Sequence, residues 1–177
     1  MARGISVVIP SLEGDPPTLD SVPEGVEAKV VTGKRRSVAR NIGVERTNGD
    51  IVVFCDDDIR FDEAFFRDQV DATTRGTITG LEDSDFGWLI TRFMIVHRAD
   101  FERVGGFDER LNYMEDTDFC LKALRRGLQL RSLPRDVVDH EEHVSVGKTR
   151  WVLARNTLYL SLKYPEHAQA VIRGMVF

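Results

Sequence analysis

Only two cysteines, Cys55 and Cys120, occur in the 177 residues, and no CxxC pair is present. This excludes a disulfide framework and a cysteine-based zinc site, and it fits a reducing compartment. No apolar run is long enough to span a bilayer. The run from Ile5 to Ile9 is too short for the core of a signal peptide and stops at Pro10. A cytoplasmic location is expected, and contact with a membrane surface is compatible with the chain. A basic excess is also absent: 24 Lys+Arg face 29 Asp+Glu, for a net charge of -5. A nucleic-acid binder needs a basic face against phosphate, so nucleic acid is not an expected partner. Internal repeats and low-complexity segments are lacking. Hydrophobic residues at 42% and charged residues at 30% describe an ordinary globular chain. Its length suits one domain over 1–177 with a buried core.

The segments alternate between short apolar runs and helical patterns. Ile5 to Ile9 reads as a buried strand stopped by Pro10, and Ala28 to Thr32 as a second strand. Between them lies a proline- and acid-rich loop with at most one short helix. Arg36 to Glu45 predicts a helix, and Asn48-Gly49-Asp50 predicts a turn. Ile51 to Cys55 is a strongly apolar strand. Asp62 is a candidate cap for a helix running to about Val70. A β-prone patch at Thr77 to Thr79 and a strand near Leu89 to His97 follow. Arg98 to Val104 predicts a short helix closed by Gly105-Gly106. Asp116 to Arg126 predicts an amphipathic helix closed by Gly127. Leu128 to Leu133 and Asp136 to Asp139 read as short strands, and Thr149 to Tyr164 as a long helix stopped at Pro165. The pattern predicts an α/β fold with a mostly parallel sheet covered on both faces. Ligands of such sheets bind at the carboxyl ends of the strands.

That end of the third strand carries Asp56-Asp57-Asp58. Three adjacent carboxylates facing a cleft need a cation, and a hard divalent ion such as Mg²⁺ or Mn²⁺ suits all-oxygen ligation. In an extended segment Asp56 and Asp58 share a face while Asp57 points elsewhere. Alone, the triplet would be a solvated acidic loop; after a buried strand, the ligand-facing reading is favoured. A second constellation runs Gly105-Gly106-Phe107-Asp108-Glu109 and then Glu115-Asp116-Thr117-Asp118. Acids at a helix start act as caps and gain from the helix dipole. A carboxylate held rigidly there also suits a general base. A third is His140-Glu141-Glu142-His143, in which an imidazole can ligate a divalent ion beside carboxylates. A loop histidine is also often simply exposed. Basic residues form a fourth set: Lys34, Arg35, Arg36 and Arg40, with Lys148, Arg150 and Arg155 near the last helix. Arg and Lys can hold a diphosphate, although such runs are commonly solvated helix starts.

Taken in order, these segments resemble glycosyltransferase family 2. "ISVVIPS" resembles the first strand, "GKRRSVARNIGVERTNGDIVVFCDDD" the helix and DxD strand, and "ITRFMIVHRADFERVGGFDERL" the strand and GGFDE turn. "EDTDFCLKALRRG" resembles the acidic helix, and "VVDHEEHVSVGKTRWVLARNTLYL" the histidine strand and final helix. The resemblance implies a GT-A, Rossmann-like, mostly parallel sheet flanked by helices, with a C-terminal helix. It implies a metal-dependent inverting transfer of a sugar from a nucleotide-diphosphate donor to an acceptor hydroxyl on a sugar, lipid or small molecule. Asp56, Asp58 and His140 match metal-site positions, for Mn²⁺ or Mg²⁺. Asp116, with Glu115 beside it, matches the catalytic base. Pro10, Ser11, Arg36, Arg40, Asp57 and Lys148 fall on the donor side, and Gly105, Gly106 and Trp88 on the acceptor side. A homodimer is compatible with the chain.

Two departures accompany the resemblance. The family's acid after the second strand, which recognises the base, has no match in Val30-Val31-Thr32-Gly33-Lys34, where Glu13 or Asp15 would have to substitute. The chain is also short for the family. Two other readings compete. "IVVFCDDDI" fits a haloacid-dehalogenase-type phosphatase with Asp56 as nucleophile and Asp58 as acid/base, although that family carries the motif on its first strand. The third reading is a degenerate GT-A domain that only binds nucleotide or a partner.

Overall fold

The structure is a computed structural model and describes residues 4–12, 14–83, 88–140 and 150–174. Eight strands are present among these residues: β1 (Ile5–Ser11), β2 (Glu27–Thr32), β3 (Ile51–Cys55), β4 (Ile59–Arg60), β5 (Thr77–Glu82), β6 (Leu89–His97), β7 (Gln129–Leu133) and β8 (Asp139–His140). Six α-helices accompany them: α1 (Arg36–Glu45), α2 (Glu63–Ala72), α3 (Arg98–Val104), α4 (Glu115–Arg125), α5 (Arg150–Lys163) and α6 (Ala168–Arg173). The main sheet has the order β2-β1-β3-β6-β5-β7. β6 alone opposes the others, pairing antiparallel with both β3 and β5. β3 is buried along its whole length, as an apolar strand covered on both faces must be.

One face of the sheet packs Phe54, Met94 and Val96 against Phe101, Phe107, Phe119 and Cys120 from the α3–α4 region. The other face packs Val53, Phe93 and Ile95 against Phe66 and Val70 of α2. α1 lies directly on β1. A Cβ on Gly43 would stand 2.2 Å from Val8 Cγ1, so only glycine permits this approach. α5 and α6 close a third cluster over α4, with Leu111, Met114, Leu121, Leu160 and Tyr164. The outward side of α5 exposes Trp151, Leu158 and Leu162.

Three expectations are corrected. Asp136 to Asp139 is not one strand: Arg135–Val137 forms a 3-10 turn after Pro134, and only Asp139–His140 is extended. That short strand pairs antiparallel with β4 in a separate two-stranded sheet, so its length is set by the two residues opposite it. Asp62 stands at the N-cap of α2, but its side chain makes no capping hydrogen bond. The acidic helix begins at Glu115, one residue early, because the chain enters it through Met114 in a left-handed conformation, φ 65 and ψ 18. No helix among the described residues is long and apolar enough to cross a membrane.

Candidate active site

The carboxyl ends of β1 and β3 and the start of β6 meet at one edge of the sheet, because β6 runs opposite to β3. Asp56, Asp57 and Asp58 leave β3 there and diverge to three different partners. Asp56 Oδ1 accepts from Arg40 Nη2 at 2.8 Å. Asp57 Oδ2 accepts from Ser11 Oγ, at the end of β1, at 2.7 Å. Asp58 Oδ2 lies 3.3 Å from His140 Nε2. The β4–β8 pairing delivers this histidine, since His140 stands opposite Ile59. The turn itself is fixed by buried Thr18. Its hydroxyl reaches the carbonyls of Asp56 and Ile59 at 2.8 and 2.9 Å, and Ile59 N–H lies 3.1 Å from the same oxygen. Nothing in the proline-rich loop marks Thr18 as a functional position, so sequence reasoning missed it.

Arg40 joins the triplet to the acidic helix. It is 1% exposed, and its second terminal nitrogen donates to Glu115 Oε1 at 2.9 Å. Helical spacing places Arg40 on the buried side of α1 with Ser37, Gly43 and Val44. Two carboxylates on one guanidinium satisfy the condition for burying a charge. Burial pushes Asp56 up, but the charges of Arg40, Arg36 and Arg92 outweigh it and hold the carboxyl below its ordinary value. Asp58 behaves oppositely. Burial and the neighbouring Asp56 charge raise it, and His140 pulls it back only in part.

Asp116 is the acid of the pair left without a cationic partner among the described residues. Its Oδ1 accepts from Thr117 N–H at 2.9 Å. Burial first, and the charge of Glu115 second, lift its carboxyl to about 7, against the pull of Arg40. The strained turn before it is held from outside. Asn156 Nδ2 donates to Tyr113 O at 2.9 Å, and Thr157 Oγ1 sits 3.8 Å from Met114 Sδ.

The remaining expected residues are placed as follows. Arg36 is exposed beside the triplet, and the charge of Asp56 raises its guanidinium against some desolvation. Pro10 and Ser11 are buried at the end of β1. Lys148, Glu13, Glu141, Glu142 and His143 lie outside the described residues, and Asp15 is exposed. Gly105 ends α3 with φ 87, which is helix-cap geometry. Gly106 meets Asn41, whose Oδ1 would stand 2.9 Å from an added Cβ. Asn41 clamps that turn, accepting from Phe107 N–H at 2.9 Å and donating to Phe107 O at 3.0 Å. Trp88 is half-buried against the core, edge-on to His167 at 5.6 Å. Arg92 was missed, because it reads as a polar position in an apolar strand, and Asn41 stands out in the sequence only as the neighbour of Arg40.

The sequence set Asp118 in one constellation with Glu115 and Asp116, and the structure separates it from them. Asp118 is fully buried away from the triplet, where Lys163 Nζ and Tyr164 OH reach Oδ1 at 2.6 and 2.7 Å. Asp108 joins the same network through Arg110, Tyr159 and Lys163. Hydrogen bonding from Arg110, against some desolvation, holds Asp108 far below the ordinary carboxylate range. Lys163 of α5 pairs with both acids, Arg110 with Asp108 and Lys122 of α4 with Asp118. No group of three or more metal-ligating side chains occurs among the described residues. The pair Asp58 and His140 nevertheless fits a hard divalent cation. Asp58 Oδ1 is buried with no hydrogen-bond partner among the described residues. A cation that takes its remaining ligands from phosphate and water needs only one or two protein groups.

A model of glycosyl transferase family 2 matches residues 21–128, more than half of the chain. The chain belongs to glycosyl transferase family 2. The rhamnosyltransferase WbbL of Escherichia coli is 33% identical over 87 residues, which cover 46% of this chain and 33% of that protein. The family 2 chain thus aligns with about a third of that relative's length. Among solved structures, the mannosyltransferase PcManGT of Pyrobaculum calidifontis, in complex with GDP-Man and Mn²⁺, superposes with a TM-score of 0.63 at 15% identity. It covers 96% of this chain and 65% of that one. A Drosophila β1,4-galactosyltransferase 7 mutant, in complex with manganese, UDP-Gal and xylobiose, gives 0.59 at 16% identity, covering 80% and 72%. These likenesses are of fold alone, and the shared fold extends beyond the matched segment.

Proposed function

We propose that this domain transfers a sugar, with inversion, from a nucleotide-diphosphate sugar to an acceptor hydroxyl, with the help of a divalent cation. One observation carries the reading: a single buried guanidinium, Arg40, ties Asp56 of the DxD strand to Glu115 of the acidic pair, at 2.8 and 2.9 Å. The two motifs that this reading assigns to the donor and to the base therefore share one buried frame. The relatives bound to GDP-Man or UDP-Gal and manganese support the same class of donor and metal.

In this reading Asp58 and His140 hold Mn²⁺ or Mg²⁺, which offsets charge building on the leaving diphosphate. Asp116 takes the proton from the acceptor hydroxyl. That oxygen attacks the anomeric carbon from the side opposite the diphosphate, the bond to the diphosphate oxygen breaks, and the configuration inverts. A carboxyl lifted to about 7 suits a base working near neutrality. Asp57 and Ser11 shape the end of β1 beside the donor. Gly105, Gly106 and Trp88 remain the candidates for the acceptor side. The phosphatase alternative is set aside, because β1, β2 and α1 precede the triplet and the family match runs through it.

The test is turnover. With Mn²⁺ and a panel of nucleotide sugars, the wild type should release nucleoside diphosphate, and Asp116→Asn should abolish release while still binding donor. Metal-dependent binding with no transfer or hydrolysis from any donor would leave a binding domain in place of an enzyme.

A further inference from the structure

Arg92 occupies a position that the family assignment leaves without a role. The β3–β6 register pairs Phe54 with Met94 and Cys55 with Phe93, which puts Arg92 on the rung of Asp56. Asp56 N–H donates to Arg92 O at 2.9 Å, so the pairing continues one residue past β3. Phe54 and Met94 belong to the core layer that includes Phe119 and Cys120 of α4. Alternation along a strand then directs Arg92 to that same face, where Glu115 and Asp116 begin α4.

Arg92 Nε is buried with no hydrogen-bond partner among the described residues, and Asp58 Oδ1 is in the same condition. The positive charge of Arg92 acts on both Asp56 and Asp58, yet no ion pair closes between them. Arg40 Nε is unpartnered as well, but its two terminal nitrogens are occupied by Glu115 and Asp56. An unpartnered buried nitrogen on a cation and an unpartnered buried oxygen on an acid, both at this end of the sheet, are costly unless a ligand joins them. A ligand that meets a carboxylate through a cation and a guanidinium through its own oxygens is a diphosphate.

We infer that Arg92 is a donor-binding residue whose guanidinium receives the diphosphate and sets the preference for nucleoside diphosphates over monophosphates. This rests on the donor site proposed above. It also accounts for the missing acid after β2: a donor gripped by its phosphates depends less on contacts to its base.

Calorimetric titration of the full chain with UDP, GDP and dTDP, and with the matching monophosphates, in Mn²⁺ tests this. Arg92→Met should lower diphosphate affinity about 10- to 100-fold, the equivalent of one charge-assisted hydrogen bond, and leave monophosphate affinity nearly unchanged. Arg92→Lys should recover part of the loss, since it keeps the charge but not the fork. A purely structural role would lower the melting temperature of the ligand-free protein and weaken both ligand classes alike, and that result overturns the inference. So does an unchanged diphosphate-to-monophosphate ratio in Arg92→Met. If the wild type binds no nucleoside diphosphate with Mn²⁺, the donor-site reading itself fails, and Arg92 with it.

Discussion

Arg40 Nη2 lies 2.8 Å from Asp56 Oδ1, and both groups are largely withdrawn from water. Removing one partner of a buried ion pair strands the other, which costs about 3–5 kcal/mol. Arg40→Met strands two carboxylates and should destabilise by at least that range in urea denaturation. Arg40→Lys should rescue little, because one ammonium cannot span Asp56 and Glu115 in the fork geometry. A loss under about 1 kcal/mol, the scale of a surface pair, would contradict the bridge.

Asp116 gives a pH signature with a definite sign. Its native carboxyl keeps a proton up to about 7, whereas an unfolded Asp releases it near 4. Between those values the native state binds more protons, so this group contributes a stability that falls as pH rises. Asp116→Asn lacks that contribution. Its melting temperature relative to wild type should climb between about pH 4 and pH 7 and then level off. A flat difference across that window would mean that Asp116 titrates normally. The same ionisation should appear as an acidic limb near 7 in the wild-type rate profile.

The DxD strand, the order of the elements and the glycine-capped helices were legible because each rests on local chemistry. Ile51 to Cys55 is apolar and β-branched, and Gly105 and Gly127 adopt positive φ where helices end. The roles of the charged residues were less legible. Arg40 and Arg36 are four apart on one helix, yet Arg40 is buried and Arg36 is exposed. Asp116 and Asp118 are two apart, yet Asp118 turns to Lys163, 45 residues away in sequence. Pairings at such separation are fixed by the fold, and no local pattern announces them.

Metal should bind through Asp58. With Mn²⁺ and a nucleoside diphosphate at a hundredfold excess over its dissociation constant, the wild type should gain about 2.7 kcal/mol. Treatment with EDTA should remove that gain. Asp58→Asn should abolish it and His140→Ala should reduce it. An equal gain with and without metal would rule out the cation.

Met114 isolates the cost of the turn. Its side chain is buried, so Met114→Ala and Met114→Gly both lose its packing. Only glycine relieves the positive φ of 65. Met114→Gly should therefore be the more stable of the two by about 1 kcal/mol, a sign opposite to the usual helix ranking. If alanine proved the more stable, the left-handed conformation would be wrong.

The grip of α5 on that turn has a consequence for synthesis. Tyr113 and Met114 are anchored by Asn156 and Thr157, and Asp118 by Lys163 and Tyr164. A ribosome delivers all four anchors some forty residues after the acidic motif they hold. The nascent chain can pair β1 and β3 and assemble the Asp56 edge well before then. The Asp116 end of the cleft must wait for the C-terminal helix, and the Asp58 side must wait for His140, so both ends of the site are completed by chain that is made late.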